Sequence, residues 1–226
     1  MIPYTYTYLF GTGIFMIPWI IFYILRKDLR KEMIVMSIFG AIMGFVTSYL
    51  WWTIDWWEPV TMTGTRVGIE DILLGFFNGG IAAIAYEVFF KRTYSHVKRR
   101  GREKEIVVLI VTMTLLISFL FWIIKLHSFI SCVLMLIYGF LFIAILRKDL
   151  ITPAIINGFF MMLISIPVYL ACEFVSSGWI HRMWQFKYLS GILVLGIPIE
   201  DLIFYFQFGL FIGPLYKLWH GFMYKQ

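Results

Sequence analysis

The chain of 226 residues reads as long apolar runs separated by short polar breaks. The runs lie over 4–25, 33–52, 69–90, 106–124, 129–146, 153–172 and 193–219. Most are close to the roughly 20 residues that an α-helix needs to cross a bilayer. Their apolar character is continuous, whereas a barrel strand would alternate over about 10 residues. The last run carries Pro198 and Pro214, so its effective span is expected over 198–218. The pattern predicts an all-α polytopic membrane protein with seven transmembrane helices. Composition agrees: 61% of residues are hydrophobic and 14% charged, against about 25% charged in soluble domains. A disordered chain, a disulfide scaffold and an ordinary soluble enzyme are excluded. The first run has no basic flank or small-residue cleavage site, and is read as a membrane helix rather than a removed signal.

Charge adds a direction. If the runs cross the membrane in turn, fifteen Lys and Arg residues fall on one side and four on the other. The basic side holds the loop after the first span, the central loop 91–105 and the C-terminus. The positive-inside rule then places the N-terminus outside and the C-terminus in the cytoplasm. The net charge of +6 is read as meeting anionic lipid at the cytoplasmic loops, not nucleic acid. Cys132 and Cys172 lie inside apolar runs and suit neither a disulfide framework nor a zinc site.

The chain also repeats itself. Ile24-Leu25-Arg26-Lys27-Asp28-Leu29 returns as Ile145-Leu146-Arg147-Lys148-Asp149-Leu150, and Gly68-Ile69-Glu70-Asp71 is answered by Pro198-Ile199-Glu200-Asp201. The order of both motifs predicts two three-helix repeats, over 1–92 and 127–226. The segment 93–126 joins them through the basic loop and one spacer helix. A single spacer between two three-helix units makes the repeats parallel, with a pseudo-axis along the membrane normal and a cavity between them.

The repeated acids are the candidate chemistry. Glu70, Asp71, Glu200 and Asp201 stand at the starts of the third and seventh spans. Placing a charge deep in hydrocarbon costs about 2.5–3.5 kcal/mol on the lenient scale, so two acidic pairs need a reason. Acids in the first turn also complement a helix dipole and bind free amide groups. Adjacent helix residues point about 100° apart, so one member of each pair can cap while the other faces a cavity. Glu200 and Glu70 are the first candidates for acid/base catalysis, with Asp201 and Asp71 as partners or caps. Asn78 and Gln207 follow seven residues behind Asp71 and Glu200 and can hydrogen-bond a carboxyl group or a neighbouring helix. Phe77, Phe204 and Glu173 complete the candidate binding set. The run Trp51-Trp52-Thr53-Ile54-Asp55-Trp56-Trp57 suits an interfacial belt or the wall of a site for an unsaturated substrate. Glu87 is expected to reach the basic interface. No metal spacing involves His127 or His181, no nucleotide motif is present, and no cofactor is implied.

A desolvated acid beside aromatic faces suits proton-initiated chemistry through a carbocation. It also suits a proton path or a lipid site. The stretch Pro198-Ile199-Glu200-Asp201-Leu202-Ile203-Phe204-Tyr205-Phe206-Gln207 resembles the Pro-x-Glu-Glu-x-x-Phe-Phe signature of the integral-membrane lycopene beta-cyclases. Asp201 and Asp71 stand in place of the second Glu, and Gly68 in place of the Pro. The resemblance implies redox-neutral cyclisation of the acyclic ends of a carotenoid, a long hydrophobic isoprenoid substrate and no cofactor. An acid protonates a terminal double bond, a ring closes on the cation, and a base removes a proton. A relative acting on another isoprenoid lipid, and a proton or cation transporter using the same carboxylates, are the competing expectations.

Overall fold

A computed structural model describes residues 2–95 and 99–225. Within them lie seven helices long and apolar enough to cross a membrane. We label the elements α1 (Tyr4–Leu25), α2 (Arg30–Thr47), α3 (Ile69–Phe89), α4 (Glu103–Ser118), α5 (Ser128–Leu146), α6 (Ile151–Val175), the short α7 (Trp179–Met183) and α8 (Ile199–His220). The predicted spans are all present, with shifted ends. The second continues to Asp55 and the sixth starts at Lys148. Among the basic residues counted for orientation, Lys98 lies outside the described residues.

The last span starts later than its apolar run. Leu193–Val194 and Ile197–Pro198 form a small antiparallel hairpin, β1 and β2. Its turn, Leu195-Gly196, has both φ angles positive, at 56° and 80°, as a tight two-residue hairpin requires. Pro198 then precedes α8, and Gly221 closes that helix in the left-handed conformation, φ 68°, where a side chain is strained.

Close approach of small residues sets the pairing of α2 with α3. A Cβ at Gly44 would stand 2.6 Å from the Asp71 carbonyl, and Gly40 faces Gly75 in the same way. Without Cβ atoms the two backbones touch, which is how helices associate where no hydrophobic force separates them from lipid. The same device joins α6 to α8. A Cβ at Gly209 would lie 2.7 Å from the Asn157 carbonyl, and one at Gly158 2.7 Å from the Phe206 carbonyl. Asn157 of α6 ties together α3 and α8: its Nδ2 donates to the carbonyls of Ala82 (2.7 Å) and Gly209 (2.8 Å), and its Oδ1 accepts from the Tyr86 amide.

The repeated hexapeptide has a structural job. Arg26 donates to Asp28 at 2.7 Å and reaches the carbonyls of Glu87 and Arg92. Arg147 donates to Asp149 at 2.7 Å and to the carbonyls of Lys217 and Phe222. Arg26 therefore closes the carbonyl end of α3 and Arg147 that of α8, where cations complement the dipole.

Two expectations need correction. Lys217, one of the two C-terminal cations counted with Lys225 on the basic side, does not lie at the membrane surface, and Glu87 does not reach the basic interface; both are buried. Lys217 Nζ lies 2.9 Å from Glu87 Oε1 and 2.9 Å from Glu32 Oε1. Tyr94 and Tyr224 donate to Glu32 Oε2 (2.7 Å) and Glu87 Oε1 (2.6 Å), and burial beside these carboxylates holds both phenols well above their usual pKa. Burying one cation alone costs several kcal/mol, so it needs such partners. Glu87 and Lys217 each stand 17 residues after the Glu of their acidic pair, and Tyr94 and Tyr224 each stand 24 after it. Tyr94 and Tyr224 also pair backbone to backbone. Residues at equal distances from the two motifs thus meet one another.

Candidate active site

The acidic turns begin α3 and α8, and both Glu side chains fold back on the loop before them. Glu70 Oε1 accepts from the Met62 amide at 2.6 Å, and Glu200 Oε1 from the Ser190 amide at 2.7 Å. In each case the other oxygen is buried without a hydrogen-bond partner. The Glu residues therefore anchor the incoming loops with one oxygen and keep one free.

The Asp residues differ more. Asp71 Oδ2 accepts from the Gly68 amide at 2.9 Å, the capping half of its role. Its Oδ1 accepts from Ser48 at 2.7 Å and Tyr8 at 3.0 Å. These three donors offset part of the cost of burying the carboxylate. The helix containing Ser48 widens into a π-turn over Ser48–Trp52, a local insertion often found at functional sites. Asp201 is also buried, and its neighbours are Tyr169 and Trp184. Its Oδ2 is buried without a hydrogen-bond partner.

Asp71 lines an apolar cavity of about 100 Å³ between α2, α3, α4, α5 and α8. Ser48, Tyr8 and Asn78 share its lining with the aromatic faces of Trp51, Trp52 and Phe204. From Asp71 to Asn78 the cavity follows about 10 Å of helix. Asn78 Nδ2 is spent on the Leu74 carbonyl at 3.0 Å, while its Oδ1 is buried and unpaired. A second cavity, of about 40 Å³, lies beside it and shares Tyr8, Trp57, Leu74 and Tyr205. Tyr169 and Trp184, the neighbours of Asp201, line that smaller space.

The structure gathers some of the expected residues and separates others. Asp71, Asn78 and Phe204 share the larger cavity. Glu70 and Glu200 are committed to their loops through one oxygen each. Gln207 is buried with its Oε1 unpaired, away from the cavity lining. Phe77 packs on Trp19 and Phe76. Glu173 accepts from the amides of Gly178 (2.5 Å) and Ile180 (3.1 Å), at the start of α7. The tryptophan run is not a belt at the lipid boundary. Trp51 and Trp56 are buried, and Trp51, Trp52 and Trp57 line the larger cavity. Among the described residues no three His, Cys, Asp or Glu side chains come together as a metal site.

Sequence reading missed Tyr8 and Ser48, because nothing in the local sequence says which residue of a run will meet a partner on another helix. It missed the α4 contribution to the cavity for the same reason. The Glu87–Lys217 pair did carry a signal: the two residues occupy the same place relative to the repeated acids.

This is a polytopic helical membrane protein with a carboxylate in the lining of an aromatic-walled, apolar cavity. The lycopene cyclase family model matches residues 3–89 and 127–219. Most of the chain is covered, and the chain belongs to the lycopene cyclase family. The unmatched stretch between these segments contains α4. No curated protein and no solved structure shows a significant match to the chain.

Proposed function

We propose that the protein cyclises an acyclic end group of a lycopene-type carotenoid within the membrane, and that Asp71 handles the proton. The observation that carries this reading is Asp71 itself, which joins two hydroxyl donors to an apolar cavity with aromatic walls. In its acid form it protonates a terminal carbon–carbon double bond. The neighbouring double bond supplies the electron pair that closes the ring on the resulting cation. The aromatic faces of Trp52 and Phe204 stabilise that cation through their quadrupoles. Loss of a proton from the ring carbon to the carboxylate restores the acid and leaves a new ring double bond. Atoms and electrons balance without a redox partner, and no cofactor is required. Glu70 and Glu200 keep the acidic turns seated on their loops, each with one oxygen free to relay a proton. Asp201 holds the corresponding place beside the smaller cavity.

In the same reading, 1–92 and 127–226 are parallel repeats joined by 93–126. The meetings of Glu87 with Lys217 and of Tyr94 with Tyr224 support an axis passing between them. The acidic turns face the outer side of the membrane, and the basic cytoplasmic loops meet anionic lipid. A Thr63→Cys variant is expected to react with a membrane-impermeant maleimide on intact cells, and an Arg100→Cys variant only after permeabilisation. The native Cys132 and Cys172 are buried and leave the background low. The reverse labelling pattern overturns the orientation.

The activity is tested by expression in a lycopene-accumulating host followed by pigment chromatography. Ring-bearing carotene of unchanged mass is expected. Unaltered lycopene beside folded, membrane-inserted protein overturns the reading.

A further inference from the structure

The fourth helix lies outside the segments that the family model matches, yet it is not a passive connector. Ile110, Met113, Thr114 and Ile117 line the larger cavity. Their spacing places them on one face of α4. The other face carries Val107, Val108, Val111 and Leu115, all exposed on the outside of the bundle, where lipid is expected. The Thr114 hydroxyl is turned onto the Ile110 carbonyl at 2.9 Å, so this wall offers no free donor to a bound molecule.

Met113 is held at a tight point of that wall. Gly139 on α5 has no side chain, and a Cβ there would come within 2.8 Å of Met113 Cε, 2.9 Å of Met113 Sδ and 2.8 Å of Phe211 Cδ2. Both Met113 and Phe211 face the cavity. Glycine at 139 therefore lets both side chains withdraw from the cavity by packing against α5. A thioether with three rotatable bonds is the side chain best able to adapt at such a boundary.

We propose that α4 is the substrate-selecting wall of the cavity. Met113, set back by Gly139, fixes the size and polarity of the end group that enters, and the group it admits is an unsubstituted hydrocarbon terminus. The inference rests on the cyclase reading above, and extends it to a helix that the family match leaves out.

The test uses purified full-length protein in lipid–detergent micelles. Two substrates are compared: lycopene, and an acyclic carotene of equal chain length bearing a terminal hydroxyl. Met113→Ala is expected to raise kcat/KM for the hydroxylated substrate relative to lycopene by about tenfold, the scale on which hydrophobic pockets sort such groups. Gly139→Ala pushes Met113 and Phe211 inward, and is expected to raise KM for lycopene several-fold with kcat little changed. Leu115→Ala, on the outward face, should leave the ratio of the two substrates where it was. Binding is followed separately, by carotene quenching of the fluorescence of Trp51, Trp52 and Trp57. Wild-type protein that binds lycopene without cyclising it overturns the function but not the wall, provided that Gly139→Ala weakens the quenching. Folded Met113→Ala and Gly139→Ala proteins with wild-type binding and wild-type substrate ratios overturn the wall alone. Absence of quenching in the wild type overturns both.

Discussion

Asp71 and Asp201 follow the same Ile-Glu dipeptide and start equivalent helices, but they meet different surroundings. Asp71 receives hydrogen bonds from Ser48, Tyr8 and the Gly68 amide, and opens on the larger cavity. Asp201 is enclosed beside Tyr169 and Trp184, which line the smaller one. The hexapeptide repeat places Ser48 and Tyr169 at corresponding positions, both 22 residues after the motif arginine. Where one half has a small hydroxyl, the other has a phenol ring, and the ring occupies volume. A repeated motif thus supplies two acids, and the residues around each decide what space it commands. The Glu members, by contrast, do the same thing in both halves: each ties its loop to the helix start.

The most severe way to break this comparison is to neutralise the two Asp residues separately. Asp71→Asn keeps the shape of the side chain but supplies no acid proton. Its cyclisation rate in purified, folded protein is expected to fall by about 10²–10⁴. Asp201→Asn should cost tenfold or less. Equal losses would show that both cavities work, and a larger loss at Asp201 would reverse the assignment. The next effect is on stability. Lys217→Met leaves Glu32 and Glu87 buried together without their cation. Unfolding in detergent should be easier by about 3–5 kcal/mol. An unchanged melting temperature would mean that this cluster does not hold the halves together.

A smaller effect sharpens the contrast between Glu and Asp. Glu70→Gln and Glu200→Gln keep an oxygen that can accept from Met62 and Ser190. Each should reduce stability by no more than about 1 kcal/mol and turnover by less than tenfold. A loss of two orders of magnitude at Glu200 alone would move the acid role from Asp71 to Glu200. The smallest effect tests the likeness of the halves. Arg26→Lys and Arg147→Lys each replace a fork that spans an aspartate and two carbonyls with a single ammonium group. Losses of about 1 kcal/mol are expected at both sites, read from thermal unfolding. A neutral change at one site and a large change at the other would break the equivalence of the two turns.

The apolar runs by themselves determined the seven helices, among the described residues, that are long and apolar enough to cross a membrane. Hydrocarbon leaves the backbone no partner but itself, so run length translates directly into helices. The sequence also disclosed the acidic turns and the family, because a run such as Pro198-Ile199-Glu200-Asp201 is local and survives without knowledge of neighbours. It anticipated that Asn78 would share a face with Asp71, since seven residues return to nearly the same side of a helix. Only the tertiary structure decided which acid meets the cavity. That depends on Ser48 and Tyr8 arriving from other helices, and on side-chain volume at positions such as Tyr169. It also turned Lys217 from a counted surface charge into a buried one, and decided for the tryptophans between the belt and the cavity wall. Hydrophobic pattern reports how much of a segment avoids water. It does not distinguish a face turned to lipid from a face turned to another helix, because both are apolar. That distinction is made by packing, and here packing is where the site was built.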